Sequence, residues 1–267
     1  MRSDHGWRLS IGASVALLAA ATSARATSLY NNGGLVTNPG AGFNGADVSQ
    51  ASTDIAGGVG STRTGTTIRK YTDDFVVPAG GWTVNSATGY VYITATYPTF
   101  PPSITLTAIT AQIWSAVPSG VSTGVIATST TIIDNSWTGI YRTPNGNLLD
   151  NTSPIMAVTA DFGSLSLNPG TYWISFGFTG TAPGGSAGGL TPYVMSVDGS
   201  GNPVTNTGNA RQGTSPNGGA SYTWNAQQTS RGGVELPFLI NGTPAPAPGA
   251  GAIVCITGLI AARRRRS

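Results

Sequence analysis

The segment TYWISFGF (residues 171–178) decides the fold class, because every second side chain is large and apolar: Tyr172, Ile174, Phe176 and Phe178. Successive side chains of an extended chain point to opposite faces, so this alternation predicts a strand with one buried face. The segments YVYITATY (residues 90–97) and VELPFLI (residues 234–240) alternate in the same way. Helical periodicity is absent between residues 27 and 243, so we predict an all-β body.

Two of the predicted strands carry irregularities. Pro237 lies inside the 234–240 run and has no N–H to donate, which predicts an edge strand or a β-bulge there. Between Ile104 and Trp114 the apolar residues change parity, because Ile104 and Leu106 are followed by Ile109. A β-bulge, or burial of both faces, would explain this change.

Turn signals rich in Gly, Pro and Asn separate the runs, at residues 78–81, 118–120, 144–146 and 168–170. Many short strands divided in this way predict a β-sandwich or jelly roll of roughly ten strands, covering residues 27–242. Residues 179–190 and 198–221 are rich in Gly and are predicted to form loops.

Residues 1–26 have the three parts of a secretory signal peptide. Arg2 and Arg8 provide a basic start, an uncharged apolar run follows, and Ala24-Arg25-Ala26 forms a small-x-small cleavage site. We therefore expect an N-terminal signal helix, cleavage after Ala26 by signal peptidase, and export of the body.

The last segment, residues 243–267, has a second three-part pattern. Pro244, Pro246 and Pro248 alternate with Ala245 and Ala247 in a stretch that favours extended chain. An uncharged apolar run then fills 250–262, and four arginines follow: Arg263, Arg264, Arg265 and Arg266. The run predicts a short transmembrane helix, and the positive-inside rule keeps the arginines cytoplasmic.

This tail resembles the PEP-CTERM sorting signal, which is also labelled the ice-binding protein C-terminal domain. Pro244-Ala245-Pro246 stands where that signal has Pro-Glu-Pro, so the tail resembles a variant of it. The resemblance implies recognition by an exosortase, a membrane processing enzyme. It implies a transient stay in the inner membrane, followed by a place at the cell surface or outside the cell.

The body is also similar to β-sandwich proteins that commonly precede this tail. The matching segments are residues 29–33, 73–82, 112–114, 140–142 and 169–173. The resemblance implies a fold and a location at the cell envelope or outside the cell, and it implies no activity. Ice binding is not expected, because Thr-x-Thr units such as Thr105 and Thr107 do not form a regular repeat.

The charge of the body differs from that of the whole chain. The chain has a formal net charge of +3, but residues 27–262 carry six basic and nine acidic side chains, a net charge of −3. The basic excess therefore belongs to the two ends. A body without a basic excess argues against a nucleic-acid partner.

The body lacks the residue types that most catalytic sites require. His5 lies in the signal segment and Cys255 in the apolar tail, so no Ser-His triad or Cys-His zinc site is expected. No nucleotide-binding glycine motif is present either. We therefore predict a non-enzymatic protein without a cofactor or resident metal.

Carboxylates are the remaining candidates for chemistry. Asp73 and Asp74 are neighbours, so in a strand their side chains should point to opposite faces, and solvation at a strand end is the main expectation. A calcium site and a glycosidase pair are the alternatives, and Asp161 with Glu235 is a second candidate pair. Residues 198–202 are predicted to form a turn rather than a calcium loop.

Five tryptophans lie in the body, and most are expected to fill its core. Trp137 and Trp224 have polar neighbours and are the candidates for stacking on a sugar ring. Our leading hypothesis is an exported structural or adhesive protein of the cell envelope or extracellular matrix. The alternative is a carbohydrate-binding module that acts on exopolysaccharide.

Overall fold

A computed structural model describes residues 27–50, 63–64, 66–144, 146–181, 183, 208–229, 232–233 and 235–245. The described chain is all-β, as predicted, and contains two large antiparallel-rich sheets and a small hairpin. The one helical element among these residues is a 3-10 turn at Phe43–Gly45.

The first sheet has six strands in the order β1-β15-β5-β9-β8-β2. The bounds are β1 Thr27–Asn31, β2 Asp47–Gln50, β5 Trp82–Val91, β8 Ile132–Thr143, β9 Pro154–Leu167 and β15 Phe238–Pro244. Neighbouring strands are antiparallel, except that β2 pairs with β8 in parallel.

The second sheet has seven strands, ordered β12-β11-β4-β10-β6-β7 with β3 added to β4. The bounds are β3 Arg63–Thr64, β4 Thr67–Val77, β6 Thr105–Ser119, β7 Thr123–Ser129, β10 Gly170–Thr181, β11 Arg211–Ser215 and β12 Thr223–Ala226. Strands β13 Gln228–Thr229 and β14 Gly232–Gly233 form the separate hairpin.

The main core lies between the two sheets, which gives a β-sandwich-like arrangement. The predicted inward face of β10 is confirmed, because Ile174, Phe176 and Phe178 are buried and belong to the core. They pack with buried residues of the other sheet, such as Val84 and Phe238. Alternation in the sequence therefore identified the inner face correctly.

The predicted irregularity of β6 is also confirmed. The register of β10 on β6 shifts where Thr179 pairs with Ala108 and Gly180 pairs with Leu106, which leaves Thr107 as the extra residue. At residues 111–114, past the bulge, both faces of β6 are buried, since Gln112 and Trp114 are buried as well as Ile113. Both explanations of the parity change thus hold.

Four predictions about the strands need correction. The segment 90–97 is not a strand of its own, because β5 ends at Val91 and only residues 90 and 91 belong to it. Pro237 lies just before β15, and β15 runs between β1 and β5 in the interior of its sheet, so it is neither an edge strand nor bulged at the proline. The predicted loop 198–221 contains β11. The described chain has fifteen strands rather than roughly ten, because several are only two to five residues long.

The end of β15 overlaps the predicted sorting segment. Thr243 and Pro244 pair with Thr83 and Trp82 of β5, and the Ala245 N–H donates to the Gly81 carbonyl at 3.0 Å. The sheet thus extends beyond residue 242. In the described part of the chain, no helix has the length and apolar character needed to cross a membrane. The predicted signal helix and apolar tail lie outside that part.

Candidate functional site

The β11–β12 hairpin, at one edge of the seven-stranded sheet, partly covers the outer face of that sheet. Trp224 of β12 packs edge-on against Trp114 of β6, with ring centroids 5.7 Å apart. Its indole Nε1 donates to the Gly120 carbonyl at 3.0 Å, in the turn between β6 and β7. The hairpin of β11 and β12 therefore folds back over the strands that lie between them and β6.

Gly213 of β11 allows this roof to close. A Cβ at that position would lie 2.7 Å from the Trp224 ring, closer than side-chain atoms approach one another. Tyr222 stacks beside Trp224 at a centroid distance of 5.8 Å and extends the roof along the sheet. The roof thus consists of two aromatic rings held above the central strands.

A pocket of about 240 Å³ lies beside Tyr222 on this outer face. Strands β4, β10 and β6 contribute lining residues including Lys70, Gly177 and Thr110, and the β11–β12 hairpin contributes Gly218, Gly219 and Tyr222. Gly177 leaves space for the Lys70 stem, since a Cβ there would lie 3.1 Å from Lys70 Cγ. The pocket therefore has a rigid floor of central strands. We call it the roofed pocket.

Lys70 is the charged side chain that faces the roofed pocket. It is only 8% exposed, its Nζ donates to Gln112 Oε1 at 2.7 Å, and the ammonium lies 5.1 Å from the centre of the Tyr222 ring. Burial lowers the pKa of Lys70 from 10.5 to about 8. Burial also raises the pKa of Tyr222 above its ordinary value.

The predicted carboxylate pair has a different place and a different partner. Asp73 is 1% exposed in the middle of β4, and Glu235 is 2% exposed just before β15. Carboxylate oxygens of Asp73, Asp74 and Glu235 lie within 4.8 Å of one another. The expected solvation of Asp73 at a strand end is therefore wrong. Asp73 is buried in the middle of β4 and links that strand to the segment that enters β15.

Neutral donors hold this acidic cluster in place. Asn32 Nδ2 donates to Asp73 Oδ2 at 2.9 Å and to Glu235 Oε2 at 3.3 Å. The Leu236 N–H donates to Asp73 Oδ2 at 2.7 Å, and the Asp74 N–H donates to Asp73 Oδ1 at 2.9 Å. Asp73 thereby joins three segments that are distant in the sequence.

Burial and the nearby Glu235 raise the pKa of Asp73 from 3.8 to about 9, so its carboxyl is protonated at neutral pH. Burial and the same three acidic residues raise the pKa of Tyr30 to about 12. A glycosidase needs two carboxyls that reach one substrate. Asp73 and Glu235 do converge, but inside the protein, which suits a structural role better than substrate contact.

The spacing of the cluster also fits the oxygen ligands of a calcium ion. The Asp73 oxygens, however, already accept three N–H donors, so the protein itself satisfies this carboxyl. Asp161 is exposed and accepts from the Gly163 N–H at 2.8 Å. The carboxyls that lie near Glu235 are those of Asp73 and Asp74.

The two tryptophans predicted for sugar contact lie on different sheets. Trp137 of β8 packs against the main core, contacts Phe100 edge-on at 5.2 Å, and donates to the Ile140 carbonyl. Trp224 is half-buried in the roof, with its indole N–H already bonded. The structure therefore does not bring them into one groove.

The sorting and processing residues are described only in part. Pro244 and Ala245 are paired with the β5 strand and the turn before it. Ala24, Ala26, Pro246, Pro248 and Arg263 to Arg266 lie outside the described residues, as does the 198–202 segment.

Sequence reasoning missed Lys70 and Tyr222. One signal was available, because Lys70 is the only lysine of the chain and lies between Ile68 and Thr72 in an alternating run. Its neighbours Gln112 and Tyr222 come from distant segments, so the pattern alone gives no partner. Comparison of the chain with models of known protein families and with curated proteins finds no match.

Proposed function

We propose that this chain is an exported structural or adhesive protein of the cell envelope or extracellular matrix, which binds extracellular polysaccharide. The observation that carries the binding role is the roofed pocket, a preformed cavity with a rigid floor and an aromatic wall. Sugar sites combine such ring surfaces with a few fixed polar groups. Thr110 and Thr179 supply hydroxyls at this pocket.

The two terminal segments support the proposed location outside the cytoplasm. Signal-like residues 1–26 and the tail of prolines, apolar run and arginines fit export followed by exosortase processing. We infer no enzymatic activity, because the converging carboxyls are buried and the body has no histidine or cysteine. We also propose that the body has jelly-roll connectivity, that residues 1–26 form a signal helix, and that residues 250–262 form a short transmembrane helix.

A glycan array tests the binding role. We expect the full-length chain, in a non-ionic detergent, to bind at least one extracellular polysaccharide, and Tyr222→Ala to weaken that binding. Phe100→Ala removes an exposed ring from the loop between β5 and β6, away from the roofed pocket, and serves as the matched control. Silence across acidic and neutral polysaccharides would contradict the binding role.

A reporter fusion tests the address separately. Residues 243–267 fused to a secreted reporter should be processed and released from the membrane in cells that contain an exosortase. Deletion of the exosortase should leave the reporter unprocessed in the membrane. Identical processing with and without the enzyme would contradict the sorting proposal.

A further inference from the structure

Lys70 is a buried cation that has no counter-ion among the described residues. Lysine is almost never fully buried unless it is paired, because removal of its charge from water is costly. Its described contacts are a neutral amide, Gln112, and an aromatic ring, Tyr222. Neither carries a negative charge, and no carboxylate lines the roofed pocket.

The ammonium also keeps donor capacity. A lysine ammonium has three N–H donors, and the hydrogen bond to Gln112 uses one of them. Arg69 borders the pocket too, but it is the neighbour of Lys70 in β4 and therefore belongs to the other face of the sheet. A single positive charge thus faces the cavity.

The size of the pocket limits the ligand. At about 240 Å³ it lies a little below the range of about 300–1,000 Å³ that is usual for small-molecule sites. A volume of about 240 Å³ suits a single sugar residue, or a group of similar size, better than a longer segment of a polysaccharide. A carboxylate matches one ammonium in charge, whereas phosphate at about −1.5 to −2 calls for additional cations.

We propose that the roofed pocket binds an acidic sugar residue of a polysaccharide, with the sugar carboxylate paired to the Lys70 ammonium. This inference rests on the proposed polysaccharide-binding function and names its ligand class. Thr110 and Thr179 offer hydrogen bonds to the sugar hydroxyls, and Tyr222 closes one side. The uronic acids are the ligand class that combines these features.

Titration of the full-length chain with glucuronate and with glucose, followed by NMR, tests the inference. We expect glucuronate to bind at least about tenfold more tightly than glucose, because a hydrogen bond to a charged group is worth a factor of this size. Lys70→Met should remove that preference.

Gln112→Glu is the sharper variant. It keeps Lys70 and nearly the same volume but places a carboxylate where the amide oxygen now lies 2.7 Å from Nζ. This internal partner should compete with the ligand and weaken glucuronate binding at least about tenfold. Asn147→Asp makes the same charge change in the exposed loop between β8 and β9, and it should leave binding unchanged.

The possible outcomes distinguish failure of the acidic-sugar inference from failure of the proposed polysaccharide-binding function. Equal affinity for glucuronate and glucose, unaffected by Lys70→Met, would overturn the acidic-sugar inference and leave polysaccharide binding intact. Glucuronate binding together with a silent glycan array would support the anion site and overturn the polysaccharide function. Binding of inorganic phosphate without glucuronate would overturn the ligand class. Should Lys70→Met fail to fold, Gln112→Glu decides the matter.

Discussion

Two buried ionisable residues lie three positions apart on β4, and their surroundings differ. Asp73 faces the interior, where three N–H groups donate to its carboxyl. Lys70 faces the roofed pocket, where its hydrogen-bond partner in the described part of the chain is a neutral amide, that of Gln112. Burial alone therefore does not indicate a binding site. The informative feature is a buried charge whose remaining donors face a cavity.

The largest effect is expected on the Asp73 side of this comparison. Asp73→Ala removes the acceptor of the buried Leu236 N–H and leaves a cavity, so we expect a loss of about 2–4 kcal/mol in the free energy of unfolding. Urea denaturation measures this loss. Asp134→Ala removes an exposed carboxylate and should change stability by less than about 0.5 kcal/mol. Equal effects of the two variants would show that the buried hydrogen bonds contribute nothing.

The roof above Lys70 depends on Gly213. Gly213→Ala places a methyl group against the Trp224 ring, and such overpacking costs about 1–3 kcal/mol. The displaced indole should also lose its bond to Gly120 and show a red-shifted fluorescence emission. Gly146→Ala strains an exposed turn at positive φ, where no atom lies near the added Cβ, so it should lower stability without shifting the emission. An unshifted emission spectrum in Gly213→Ala would contradict the proposed roof.

The two residues should give stability opposite dependences on pH. The pKa of Asp73 is raised to about 9, so its contribution is complete below its ordinary pKa near 4 and is lost as the pH rises through 9. The pKa of Lys70 is lowered to about 8, so stability gains from its deprotonation between about 8 and 10.5. Each slope is at most about 1.4 kcal/mol per pH unit.

Urea denaturation across this pH range, with Asp73→Asn and Lys70→Met, separates the two contributions. Asp73→Asn should flatten the decline between acid and neutral pH, and Lys70→Met should flatten the alkaline rise. An unchanged acid-to-neutral slope in Asp73→Asn would contradict the raised pKa of that carboxyl.

The smallest effect is expected from Lys70→Met itself. Replacement of a buried ammonium with no ion-pair partner among the described residues by an apolar side chain of similar length should change stability by less than about 1 kcal/mol, or increase it. Thermal unfolding measures the change. A loss as large as that of Asp73→Ala would make Lys70 a structural residue and remove the contrast between the two sites.

Local patterns predicted the fold better than they predicted the site. Alternation in β10 and the parity change in β6 depend on neighbouring residues, and both were read correctly. The prediction from Pro237 is wrong because the effect of this proline depends on where β15 begins and which strands flank it. The Asp73–Leu236 contact joins residues 163 positions apart. A single sequence gives no information on such a pairing, and the same holds for Lys70 with Tyr222.

The most direct test of the account is an NMR titration of Lys70, which gives a single lysine signal because the chain has no other lysine. With ¹³C-labelled lysine, we expect a pKa of about 8 for the free protein. Saturating glucuronate should raise that pKa by more than about one unit, because a paired carboxylate favours the charged form. A pKa at the ordinary value of 10.5 that does not respond to glucuronate would contradict the account.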